Sequence, residues 1–315
     1  MRARVRAAPA AQNQWTTVLQ TPGRIEIVGV ERRTAEMPRL TRWETFAAED
    51  DPLESLRRLR QSKRLQGAHC VTLLAHGEYQ LLQAEAPEVP PAERGEALRW
   101  RIKEMVDFPV ENAGIGVVDI PPAPGGRVKQ VYVVVANGAA LSSRIRLYQD
   151  ARLPLEVIDV PELAQRNVAA LFEEPNRGLA FLHFHAHGGY LTFTHEGELY
   201  ATRHIDTTVA ELQAASASGN TALFERVLLD IQRSMDNFDR HFSFISISRL
   251  LLGPLPDEAG FIAFLRENLF QPVETADLGK VVDLSAVPAL ADPARQAEVL
   301  LGLGAGLRPA AGAGA

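Results

Sequence analysis

The stretch His183-Phe184-His185-Ala186-His187-Gly188-Gly189 puts three imidazoles at alternate positions and ends on two glycines. Imidazole is the commonest metal ligand, and it is also the side chain that titrates nearest neutral pH. On a strand, alternate side chains leave the same face about 6.5–7 Å apart. At that spacing three imidazoles cannot all reach one zinc ion at about 2.1 Å from a straight strand. Neighbouring ones can share an ion if a turn bends the chain, with His195 or His204 joining from adjacent strands. Three readings stand open: a metal site at His183, His185 and His187 serving a metal-dependent enzyme, plain strand and loop histidines, or a pH-sensitive contact.

Other catalytic sets have less behind them. Asp206 with Glu211, and Asp236 with Asp239, are carboxylate pairs, but the second lies on one helix face beside Arg233 and Arg240 and reads as a salt-bridged surface. No G-x-S-x-G turn presents a nucleophilic serine. Cys70, the single cysteine, sits inside the strand-like run HCVTLLA and reads as a small buried hydrophobe. One cysteine excludes an internal disulfide framework and a zinc ribbon. No residue set demands a cofactor.

The 315 residues suffice for two domains or one large bilobed one. A net charge of −6 argues against a nucleic-acid partner, which usually meets a basic face. Residues 1–14 form a basic, polar segment with Arg2, Arg4 and Arg6 and without the apolar run of a secretory signal. They are expected to be a disordered tail, with contact to anionic lipid as the alternative. Residues 309–315 read as a second loose end, and no stretch of roughly 20 apolar residues offers a transmembrane segment.

The elements that must position these residues follow from periodicity. WTTVLQ, RIEIVGVER and LTRWETF read as strands, the first two joined by a turn at Thr21-Pro22-Gly23. Asp51-Pro52 opens an amphipathic helix with Leu53, Leu56 and Leu59 on one side. Strands at AHCVTLLA and YQLLQAEA precede a helix over AERGEALRWRIKEMV, which Asp107-Phe108-Pro109 ends. Two strands flank a PPAPGG loop, and helix, strand and a helix opened by Pro161 follow. Pro175-Asn176-Arg177-Gly178 marks the lobe boundary. Beyond it lie a three-strand meander, a long helix with Val227, Ile231, Met235 and Phe238 in one stripe, a buried strand, and closing helix and strand units. Each half repeats the other's plan.

The run LRWRIKEMVDFPVENAGIGVVDIP (98–121) resembles the hallmark of the PilM family, actin-like cytoplasmic proteins of type IV pilus assembly. LPLEVIDVPELAQRNVAAL, FERVLLDIQRSMDNFDRHF, LLLGPLPDEAGFIAFLRENLFQPVE and LLGLGAGLRP are similar to later family segments in the same order, so the resemblance spans about residues 15–308. Within the family the chain is similar to MshI, the divergent component of mannose-sensitive hemagglutinin (MSHA) pilus systems.

The resemblance implies an α/β, actin-like (ribonuclease-H-like) fold of two lobes. Lobe one is expected at 15–175, with an inserted α+β subdomain at about 85–155, and lobe two at 176–308. It also implies three nucleotide loops, and the chain departs from the pattern at each. No Asp-x-Gly-Ser/Thr series follows the first strand, at 21–24 or 30–36. At the second hairpin His185 stands in place of an acid, and only Gly188 and Gly189, beside His187, keep the turn. The adenosine loop reads Gly253-Pro254-Leu255-Pro256, and proline has no N–H to offer. The implied function is a non-catalytic adaptor without cofactor or metal, peripheral to the cytoplasmic side of the inner membrane. Its implied partners are a PilN-like bitopic protein and a pilus secretion ATPase. Trp100, Phe108, Pro109 and Val110 are implied to border the peptide site. A working ATP-binding member is the alternative.

Overall fold

The computed structural model describes residues 14–308 except 22, 33–35, 49–50, 63, 66–68, 127 and 256–258. The expected terminal tails (1–14, of which Gln14 is described, and 309–315), Pro22 and Pro256 therefore lie outside the described residues.

Lobe one starts with an antiparallel meander, β1 (Gln14–Thr21), β2 (Arg24–Glu31) and β3 (Arg39–Ala47). Helix α1 (Pro52–Gln61) follows, with the Asp51 carboxylate accepting from the Leu53 amide at 2.8 Å and Pro52 supplying a first position that needs no donor. Strands β4 (Cys70–Leu73) and, much later, β8 (Leu155–Asp159) add in parallel, giving the order β3-β2-β1-β4-β8.

Between β4 and β8 the chain leaves to build a separate sheet from β5 (Tyr79–Glu85), β6 (Gly114–Ile120) and β7 (Gln130–Ala136), in the order β5-β7-β6. This sheet starts ahead of the expected subdomain at 85–155, because Tyr79–Glu85 already pairs with β7. It also ends earlier, because α3 (Gly138–Asp150) packs back against α1, with Tyr148 in the core of lobe one. The expected helix over AERGEALRWRIKEMV is broken: α2 covers only Arg94–Arg99, with single 3₁₀ turns at Pro91–Glu93 and Lys103–Met105. The Arg101 amide reaches back three residues to the Leu98 carbonyl, tightening the last turn, while the Arg99 guanidinium donates to the carbonyls of Val110 and Ala113.

Helix α4 (Pro161–Ala169) leaves lobe one for lobe two, whose meander is β9 (Gly178–His185), β10 (Gly188–His195) and β11 (Glu198–Ile205). Helices α5 (Val209–Ser218) and α6 (Ala222–His241), strand β12 (Ile247–Leu252), α7 (Ala259–Asn268), β13 (Val273–Thr275) and α8 (Pro293–Gly306) complete it. The sheet order β11-β10-β9-β12-β13, with the last two strands parallel to β9, reproduces that of lobe one. Phe224, Val227, Ile231, Met235 and Phe238 of α6 fill its core, the i, i+3/i+4 stripe expected of a helix on a sheet.

The lobes exchange helices. α8 returns to pack on β1 and β2, and α4 crosses it to reach β10. Both crossings need small or satisfied groups. A methyl on Gly304 would overlap the Ala164 carbonyl, and one on Gly302 would press into Val28. The buried amide of Gln165 on α4 donates to the Phe181 and Tyr190 carbonyls, holding β9 and β10 to lobe one's last helix. The alternate faces of β7 have separate duties. Val131, Val133 and Val135 bury against Leu98 and Ile102, while Tyr132 joins the lobe-two core and Ala136 meets Leu74 and Val160 of lobe one.

Candidate functional site

The β9–β10 hairpin places the opening histidines. β9 stops at His185, so His187 belongs to the turn and does not share a strand face with the other two. His183 is 2% exposed, and its Nδ1 has no hydrogen-bond partner. Nδ1 of His185 accepts from the His187 amide at 3.2 Å, its ring stacks on Tyr190 at 4.7 Å, and its buried Nε2 has no partner. His204, across on β11, has Nε2 donating to the His187 carbonyl at 3.2 Å. His195 lies at the opposite end of β10. Among the described residues, no three His, Cys, Asp or Glu side chains come together in a way that could hold a metal ion. The three histidines do not share one strand face: His183 is buried in β9, His185 stacks on Tyr190 at its end, and the turn carries His187 to the surface.

The glycines have the same explanation. Gly188 has φ +125°, and a Cβ there would stand 2.6 Å from Nε2 of His204 and 2.9 Å from the Ile205 carbonyl. One on Gly189 would meet the Phe184 ring at 2.8 Å, and one on Gly253 would meet Nδ1 of His183 at 2.5 Å. Each backbone approaches closely, as a phosphate or adenosine loop must, but what it approaches is a ring of this protein.

Lobe one closes on this patch. His76, in the turn leaving β4, stacks on His204 with ring centroids 4.8 Å apart and planes within 20°. Beside it the Tyr79 hydroxyl donates to the Glu162 carboxylate at 2.6 Å, and Tyr190 packs in T-shape against His204 at 5.5 Å. Burial pushes His183 down to about 4. Burial first, then the neighbouring His183, His187, His204 and His76, pushes His185 down to about 3. Burial and then His76 lower His204, while burial raises Glu162 against the opposing hydrogen bond from Tyr79.

A second feature lies at the other end of the same elements. A cavity of about 1140 Å³ opens between lobe one, the inserted sheet and lobe two. Its walls are Arg32 and Pro38, the end of β6 and Pro121–Pro122 beyond it, Lys129, the C-terminal part of α4, Gly197–Glu198, and Leu307–Arg308. Several of its cations are fixed: Arg94 pairs with Asp119 at 2.8 Å, Arg308 with the buried Asp159 at 2.6 Å, and Arg166 with Glu198 at 3.4 Å. β6 is an edge strand of its sheet, so one side of this cleft is a strand edge.

Trp100, Phe108, Pro109 and Val110 do not line that cavity. Trp100 is 65% exposed beneath Lys103, Phe108 packs against the core of the insert, Val110 is buried, and Pro109 is exposed. Sequence reasoning missed the cleft, which is assembled from six separate segments, and missed His76 and Glu162. Asp236 and Asp239 form no ion pair with Arg233 or Arg240, and Glu211 caps α5 by accepting from the Thr208 amide and hydroxyl.

Similar folds identify the architecture. The chain superposes on a protein of the PilM–PilN type IV pilus biogenesis complex with a TM-score of 0.72 at 18% identity, covering 96% of this chain and 100% of that one. A Bacteroides thetaiotaomicron protein with an actin-like ATPase fold matches with a TM-score of 0.51 at 9% identity, over 89% and 96% of the two chains. The fold is actin-like. The cytoplasmic domain of EpsL, an inner-membrane component of the Vibrio cholerae type II secretion system, aligns over 78% of this chain and 84% of its own at 14% identity and a TM-score of 0.46. No family model matches the sequence, and no curated protein does. Among the described residues no helix is long and apolar enough to cross a membrane.

Proposed function

We propose that this chain is a non-catalytic adaptor of a type IV pilus or related secretion platform, of the MSHA kind, working at the cytoplasmic face of the inner membrane. The cleft between the inserted sheet and lobe one receives the N-terminal tail of a PilN-like bitopic protein, and a secretion ATPase is a further partner. The observation that carries the reading is the cleft itself, a cavity of about 1140 Å³ with fixed cations and an edge strand. An extended tail can add to such an edge through main-chain hydrogen bonds while its side chains are read by the walls. The likeness to a PilM–PilN complex over the whole of that chain supports the same partner class. The nucleotide site is degenerate in this reading, because rings of His183, Phe184 and His204 stand where the glycine turns would have to admit a nucleotide.

The test is a titration of the protein with the synthetic N-terminal tail of the bitopic protein encoded beside it. Saturable binding is expected, weakened at least tenfold by Lys129→Glu, a cleft residue whose side chain makes no ion pair among the described residues. Saturable binding of magnesium–ATP with no binding of the tail would replace this reading with that of an ATP-binding member.

A further inference from the structure

The histidines at the hairpin serve neither metal nor phosphate in the account above, yet they meet across the two lobes. Lobe one supplies His76 and lobe two supplies His204, stacked ring on ring. His185 and Tyr190 stand behind them, and Tyr79 with Glu162 ties the same spot to α4. We propose that the His76–His204 stack, backed by His185 and Tyr190, is a proton-operated clasp that holds this end of the lobes together at neutral pH and releases it on acidification.

The chemistry follows from which nitrogens are in use. Nε2 of His204 already donates to the His187 carbonyl, so a proton must enter at Nδ1, and the resulting imidazolium faces the His76 ring at stacking distance. Nδ1 of His185 already accepts the His187 amide, so protonating it breaks a hydrogen bond of the turn. The charged and titratable groups around the pair are few. Asp206, just beyond the end of β11, favours the His204 cation, and Arg203 opposes it. Glu78, in the His76 turn, is held by Arg144 of α3 at 2.8 Å. Glu162 of α4 is covered by Tyr79, and Tyr190 faces it from β10. Only Asp206 among them offsets an imidazolium at His204.

The sign follows. In the parted state His204 takes its ordinary value near 6.5, while in the closed state it is lowered. Closure is therefore favoured above about pH 6.5 and lost as pH falls below it. His185, lowered to about 3, stays neutral in the closed state through that window, so the proton that acts there enters at His204. The clasp lies at the first turn of α4, and the cleft lies at that helix's other end, so parting the lobes here turns them about the α4–α8 crossing.

Amide hydrogen exchange of the full chain, corrected for the intrinsic pH dependence of exchange, tests this without any partner. Protection over residues 185–190 and 200–205 is expected to fall at least tenfold between pH 7.5 and 5.5, while α8 keeps its protection. His76→Phe with His204→Phe retains ring stacking without a titrating nitrogen, and should reduce that change to less than twofold. His76→Lys should lower protection at pH 7.5 already. A flat wild-type profile, or an undiminished response in the double variant, would overturn the clasp. An imidazole titration of wild-type His204 by NMR showing its ordinary value would do the same, without requiring any variant to fold.

Discussion

Strand β10 carries a glycine turn at each end, and the two turns have opposite surroundings. At Gly188 the chain bends under the His204 ring, with Phe184, His183 and His76 close by. At Gly197, φ +77°, the nearest group to an added Cβ is the Ala170 methyl at 3.9 Å, and the turn opens on the cleft. One end of the interlobe seam is filled by the protein's own rings, and the other holds a large cavity with charged walls. The two ends thus differ in side-chain volume at a few positions, on a backbone common to both.

Matched substitutions sharpen this contrast most strongly. Gly188→Ala combines a positive φ with a clash against a ring and a carbonyl, and is expected to cost about 3 kcal/mol in urea unfolding. Gly197→Ala meets only the conformational penalty, about 1–2 kcal/mol. Equal costs would mean that the packing difference between the two turns is not real. Next in size, Gly253→Ala should lose about 2 kcal/mol through its contact with His183, and much less in a His183→Ala background, a coupling read from a double-mutant cycle.

Acidification gives a related effect. His183 and His185 are both lowered by burial, so the unfolded chain binds more protons than the folded one below about pH 6.5. Stability should be full above that pH and fall through the window down to about 4 for His183 and about 3 for His185, by about 2 kcal/mol at most per imidazole at pH 5. Urea midpoints measured across pH 5–8 check the direction, and a midpoint that rises on acidification would contradict it. The smallest expected change is Lys129→Glu at the cleft end, within about 0.5 kcal/mol of wild-type stability because the exposed side chain makes no ion pair among the described residues.

Much of this fold was legible in the chain because its signals are local. Glycine-bearing turns between apolar runs marked the β9–β11 meander, and the Val227–Phe238 stripe marked α6. Asp51-Pro52 marked the start of α1. α5 escaped because VAELQAASAS has little apolar periodicity, although Thr208 and Glu211, three apart, form the capping box that could have announced it. The break after Arg99 escaped because it depends on carbonyls of Val110 and Ala113, supplied by the returning chain. The site was half legible. HFHAHGG and Gly253 depart from the loop pattern that the resemblance implies, and Phe184 and His183 of that run stand against Gly189 and Gly253, whereas His204 at Gly188 and His76 stacked on it are each unremarkable in their own segments. The cleft has no sequence signature, since its walls come from segments that only the helix exchange between lobes brings together.

The central claim is that the ring-packed end of the seam has no room for a nucleotide. Thermal unfolding in the presence of magnesium–ATP tests it most directly. A ligand held at a hundredfold excess over its dissociation constant stabilises the native state by about 2.7 kcal/mol. The account predicts no shift in Tm with millimolar magnesium–ATP, and a shift with the partner's tail. A saturable rise in Tm with magnesium–ATP, steepened by His204→Ala as the ring is withdrawn, would contradict it.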